Sequence, residues 1–128
     1  MAHDLATFHA WLSQVAPRAS IPTVIAYNFN LAETIDAFKV ELVGSSWYNP
    51  IDSDWVCEET WTSRPSQYVA LYAETGRDWE PFLKWVVTSV HEFVSGASPG
   101  SETLRQAQAV AVGFVDGNLT LVVEGGDV

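Results

Sequence analysis

The stretch that most restricts what this chain can fold into is 78–94, DWEPFLKWVVTSVHEFV. Phe82, Val86, Val90 and Phe93 recur at helical intervals, and Leu83, Val87 and Val94 widen the same stripe. A helix of this kind buries one face, so the rest of the chain must supply a sheet or another helix to cover it. Asp78 stands where an N-cap belongs, Glu80 complements the positive end of the helix dipole, and Pro81 fits because it falls in the first turn. Gly96, with Pro99 beyond it, ends the helix.

The flanking segments offer that cover. Asp4 to Val15 repeats apolar residues at Leu5, Phe8, Trp11, Leu12 and Val15, which predicts a short amphipathic helix stopped by Pro17. Thr23 to Leu31 places Ile25, Tyr27, Phe29 and Leu31 on one side and Asn28 and Asn30 on the other, a strand with one wet face. Phe38 to Val43 alternates in the same way and is expected to pair antiparallel with it across the polar Glu33 to Asp36 connection. Asn49 and Pro50 mark a turn, Trp55 to Trp61 reads as a short strand, and Tyr68 to Ala73 fits either a strand or a helical turn.

Beyond the long helix, Glu102 to Ala109 reads as a short helix, with Ser98 as its cap and Pro99 at an early helical position. Val110 to Val115 and Leu119 to Val123 are β-branched and apolar on both faces, and Asp116, Gly117 and Asn118 between them have the chemistry of a tight turn. They read as a hairpin of central strands covered on both sides, followed by a loose tail over Glu124 to Val128. The expected architecture is one α+β domain over 1–128: a mainly antiparallel sheet flanked by an N-terminal helix, a long central helix and a short third helix, ending in a β-hairpin.

Composition narrows the class of function. At 128 residues and 48% hydrophobic, the chain can bury a real core in one domain. No apolar run approaches the roughly 20 residues that span a bilayer. The start, MAHDLATFHAWL, lacks a basic n-region, so no signal peptide is expected and the cytoplasm is the expected location. Cys57 is the single cysteine, which rules out an internal disulfide and fits a reducing compartment. With 16 acidic and 6 basic residues the net charge is −10, which repels nucleic acid and anionic lipid and attracts basic proteins. The plainer reading of that charge is that it maintains solubility.

The residue types that carry catalysis are present but not assembled. His3, His9 and His91 lack metal-site spacing, and His91-Glu92 lacks the second histidine of a zincin motif. Cys57 sits beside Glu58 and Glu59, neighbours that raise a thiol pKa, so a half-buried structural thiol is expected. Asp52-Ser53-Asp54 opens like a calcium loop without the glycine and glutamate that would complete one. No phosphate cradle follows a strand. The expectation is no catalytic residue, no cofactor and no metal. A small hydrolase built on an acid pair would need a pocket bringing two of these carboxylates together.

One segment stands out. Trp47 to Trp61, WYNPIDSDWVCEETW, holds three of the six tryptophans, one tyrosine and four carboxylates, with no lysine or arginine. Rings beside unpaired acids make the composition of a protein-binding surface, and Trp47, Tyr48, Asp52, Asp54, Trp55, Glu58 and Glu59 are the candidate partner-binding residues. The competing reading sends the tryptophans to the core and the acids to water; strict alternation satisfies neither fully. Glu33, Asp36 and Glu41 would extend the acidic face if the neighbouring strands pair as expected.

The Trp79-Glu80 helix start, Trp85, and the run Ala109-Val110-Ala111-Val112-Gly113-Phe114-Val115-Asp116-Gly117-Asn118-Leu119 carry a family resemblance. From Asp78 onward the chain resembles small bacterial immunity proteins of polymorphic toxin systems, including contact-dependent inhibition modules. The resemblance implies a cytoplasmic α+β protein that binds and neutralises a cognate toxin domain by occlusion, with no catalytic residues. Small size, acidity and the lack of a catalytic set fit that role, and a nuclease toxin would present the basic cleft that an acidic, aromatic face plugs. The alternative is an acidic adaptor or chaperone that holds a secreted effector unfolded along an apolar strip.

Overall fold

A computed structural model describes residues 5–115 and 117–124; the expected helix start at Asp4, the turn residue Asp116 and the tail beyond Glu124 lie outside them. The helix predicted over 78–94 is the longest element, α3 (Trp79–Ser95), and it buries Phe82, Val86, Ser89, Val90, Phe93 and Val94. Asp78 caps it by accepting the Glu80 N–H. Its far end is closed by tertiary contacts. The Ser101 hydroxyl donates to the Phe93 carbonyl at 2.6 Å, and the Arg105 guanidinium donates to the carbonyls of Val94 and Gly96. These groups satisfy orphan C-terminal acceptors and place a cation at the negative end of the dipole.

Helix α1 (Leu5–Val15) buries Phe8, Trp11, Leu12 and Val15 against α3 and gives way at Pro17 to a 3-10 turn, Pro17–Ala19. Strands β1 (Ala26–Glu33) and β2 (Ala37–Ser45) pair antiparallel, with Phe29 opposite Leu42 and Leu31 opposite Val40. Two short strands, β3 (Trp61–Thr62) and β4 (Tyr68–Leu71), both pair with β2. Helix α2 (Tyr72–Thr75) follows directly, so the segment that suited either element contains both. After α3 come α4 (Ser101–Arg105), β5 (Ala109–Phe114) and β6 (Thr120–Glu124).

The result is an α+β domain with a mixed, mostly antiparallel sheet in the order β3-β2-β1-β5-β6, with β4 also beside β2. β5 lies parallel to β1 and β6 lies antiparallel to β5, with an irregularity between Val110 and Ala111. Such a parallel neighbour needs a long crossover, which α3 and α4 supply. Tyr27, Phe29, Leu31, Phe38, Val40, Leu42, Val110 and Val112 form one core with the helices, in which Phe38 stacks on Phe82 at 4.3 Å. No helix among the described residues is long and apolar enough to cross a membrane.

Several local expectations are corrected. Asn28 is not wet: it is 3% exposed on the helix-free face, beneath the segment that follows β2. Ile25 precedes β1 and packs on that same side, away from the main core. Trp55 to Trp61 is no strand, because 53–57 forms a 3-10 helix and only Trp61 and Thr62 join the sheet. The reason is local: Asn49 Oδ1 accepts the N–H groups of Ile51 and Asp52, and Asp52 Oδ1 accepts that of Asp54, so side chains satisfy backbone donors that a ladder would otherwise use. The short helix spans Ser101–Arg105 rather than 102–109. Its cap is Gly100 at φ 91°, not Ser98, because a Cβ there would lie 2.4 Å from that of Ala16. Of the last two strands β5 alone is covered on both faces; β6 is an edge strand, largely open to solvent.

Candidate protein-binding surface

The face of the sheet away from the helices offers small residues: Ala26 and Asn28 on β1, and Ala109 and Ala111 on β5. Small side chains leave room for a cover, and the segment leaving β2 fills it. The Ser45 hydroxyl donates to the Trp47 carbonyl at 2.9 Å and accepts the Trp47 N–H, which fixes the exit of the segment. Asn49 and Asp52 then turn the chain as described, and the 3-10 helix lowers Trp55 onto the alanines, where it is 2% exposed. The Tyr48 ring meets Trp55 edge to face at 5.3 Å, and Ile25, Val56 and Leu119 complete this second cluster. The Tyr48 hydroxyl and Asn28 Oδ1 are buried there without a protein hydrogen-bond partner. Burial, reinforced by the charge of Glu124, pushes the Tyr48 hydroxyl above the ordinary tyrosine range.

The seven candidate residues therefore divide. Trp55 and Tyr48 face inward and seat the segment. Glu58 is internally engaged: its carboxylate accepts the hydroxyls of Ser46 at 2.7 Å and Thr60 at 2.8 Å, which hold it below the ordinary glutamate range. Glu59 pairs with Arg64 at 2.7 Å, and Arg64 also bonds Glu41 at 2.8 Å. Asp52 is exposed, with one oxygen engaged in capping. Trp47, at 38% exposure, is partly open to solvent, and Asp54 is exposed, its carboxylate bonding to none of the described residues.

Two residues absent from the sequence-based set complete the surface. Ile51 is 94% exposed, and Leu121 on β6 is 40% exposed across a cleft of about 400 Å³ that Tyr48, Pro50, Trp55 and Leu119 also line. An isoleucine set between Pro50 and Asp52 in a turn was a usable signal, since a turn tip has nothing to bury it. Leu121 gave none, because its exposure depends on β6 being an edge. The acidic face is smaller than the sequence suggested. Glu41 joins Glu59 through Arg64, whereas Glu33 and Asp36 lie at the opposite end of the β1–β2 pair from the Trp47 segment.

Residues that carry catalysis elsewhere are dispersed here. His9 Nε2 lies 3.0 Å from the Ser89 carbonyl and ties α1 to α3, His91 is exposed on α3, and Cys57 is exposed rather than half-buried. Among the described residues no cluster of His, Cys, Asp or Glu has the makings of a metal site. What the surface offers is apolar contact area beside uncompensated negative charge on a braced loop, the ingredients of protein recognition. No protein-family model, curated protein or solved structure matches the chain.

Proposed function

We propose that this protein is an immunity protein that binds a basic toxin domain and neutralises it by covering its active cleft. One observation carries the reading: the loop after β2 turns Trp47, Ile51, Asp52 and Asp54 outward while Trp55 anchors it from below. A projecting loop clamped at its base keeps its shape on binding, so little ordering entropy opposes association. Its apolar tip supplies desolvated contact area, and the carboxylates, with a net charge of −10 behind them, steer a basic partner. The family resemblance of the C-terminal part points the same way. The protein acts in the cytoplasm, and its inhibition is steric, requiring no cofactor.

The test is co-purification and growth protection with candidate toxin domains. Ile51→Asp should weaken the complex by about thirtyfold or more, the level of an interface hot spot, mainly through faster dissociation. Asp54→Lys should slow association at low salt and much less at high salt. Toxin affinity unchanged in both variants would remove this loop as the contact surface. The adaptor reading draws on Val69 and Leu71, exposed on the outer strand β4. A client bound only when unfolded would favour it over the immunity role.

A further inference from the structure

A second cavity, of about 670 Å³, opens where the first turns of α3 meet the end of β5. Trp79, Leu83, Phe114 and Val115 line it together with Glu33 and Asn118. Trp79 and Phe114 stand nearly perpendicular, at 87° with centroids 6.1 Å apart, and form two walls of a corner. Phe114 is braced from behind by Phe38 at 6.0 Å, so the corner is preformed. Half of the Trp79 surface remains open to solvent, as does most of Val115. A Cβ on Gly113 would lie 2.8 Å from the Asn118 carbonyl, so glycine permits the close approach of Asn118 to β5 beside the cavity.

The one charged residue lining the cavity, among the described residues, is acidic. Glu33 belongs to its lining, and its carboxylate makes no hydrogen bond or ion pair among the described residues. Asp78 and Glu80 flank Trp79 in sequence and offset the positive end of the α3 dipole. No lysine or arginine lines the cavity, and the nearby Arg77 guanidinium lies 5.1 Å above the Tyr72 ring. An indole face is the best aromatic surface for a cation. A guanidinium stacks on such a face more readily than an ammonium because it is planar and more weakly hydrated.

We propose that this cavity is a binding pocket for an arginine side chain of the protein partner, stacked on Trp79 with its charge met by Glu33. The pocket rests on the preceding reading for the identity of that partner, but it lies apart from the Trp47 loop and supplies a separate anchor. Neutral aromatic ligands would use the rings and ignore the carboxylate. An arginine uses both.

The experiment titrates the isotope-labelled protein with the blocked peptide acetyl-Gly-Arg-Gly-amide and with its citrulline counterpart, following by NMR the backbone N–H of Val115, a lining residue that both variants keep. The arginine peptide should shift that signal saturably, and the uncharged citrulline peptide should shift it far less. Trp79→Leu, a change at a half-exposed position, should weaken binding roughly two- to fivefold, the worth of an exposed cation–π contact. Glu33→Gln should reduce the preference for arginine over citrulline. Equal responses to the two peptides, or binding that survives both substitutions unchanged, would overturn the pocket. Failure here leaves the Trp47 loop as contact surface, whereas failure of the loop variants against toxin leaves the pocket in place.

Discussion

Replacing Trp55 by alanine tests how the candidate surface is held. A fully buried tryptophan removes about 200 Å² from water, worth about 5 kcal/mol at 25 cal/mol per Å². Residual compactness of the denatured chain trims that by roughly 10–40%, leaving about 3–4 kcal/mol, at the lower end of the range for Trp-to-Ala changes in cores. Trp55 packs on Ala26, Ala109 and Ala111, not on the helices, so the damage should concentrate in one place. Amides across 46–60 should lose hydrogen-exchange protection while those of α3 keep theirs relative to global stability. In urea melts the midpoint should fall by about 2 M for an m-value near 1.5–2 kcal/mol per M. Trp47→Ala, at a ring 38% exposed, is the comparison and should cost less, about 2 kcal/mol by the same area argument. Equal small losses from both substitutions would refute the claim that Trp55 seats the loop.

Other perturbations probe separate links. Gly100→Ala should cost about 1–3 kcal/mol by calorimetry, because a side chain there meets both a positive φ and the Cβ of Ala16. Ser101→Ala should cost about 1 kcal/mol in chemical melts by removing the shorter of the two hydrogen bonds to the Phe93 carbonyl, which keeps the Gly96 N–H at 3.2 Å. Glu58 has a depressed folded pKa, so its contribution is present above the ordinary glutamate range and is lost as pH falls through the lower folded value. Carboxyl NMR titration should place its midpoint below that of free glutamate, and Ser46→Ala should move it upward. Tyr27 and Tyr48 titrate above the ordinary tyrosine range because burial disfavours the phenolate. Their contribution is therefore full below pH ~10 and lost as pH rises further; ultraviolet titration should show late-ionising tyrosines that become normal in denaturant.

Much of the frame was legible because its signals are local. The stripe from Phe82 to Phe93 and the Asp78 cap belong to one helix and need no knowledge of the rest of the chain. The alternation of Phe29 and Leu31 against Phe38 and Val40 likewise assigned two strands and their core faces. The candidate site was half legible. Composition singled out Trp47 to Trp61, but alternation was the wrong rule for its conformation, because Asn49 and Asp52 bond nearby backbone groups and make turns.

By itself the sequence determined the long helix, the helix before it, the pairing of β1 with β2, the apolar face of each of those helices, and how negative the molecule is, since periodicity and charge are properties of neighbours along the chain. Only the tertiary structure decided that β5 enters parallel beside β1, that β6 is left at an edge, and that Trp55 turns inward while Ile51 and Trp47 turn outward. Those outcomes depend on contacts between residues far apart in the chain. The same tryptophan is core or surface according to whether alanines from β1 and β5 meet beneath it, and no pattern within the Trp47–Trp61 segment encodes that meeting.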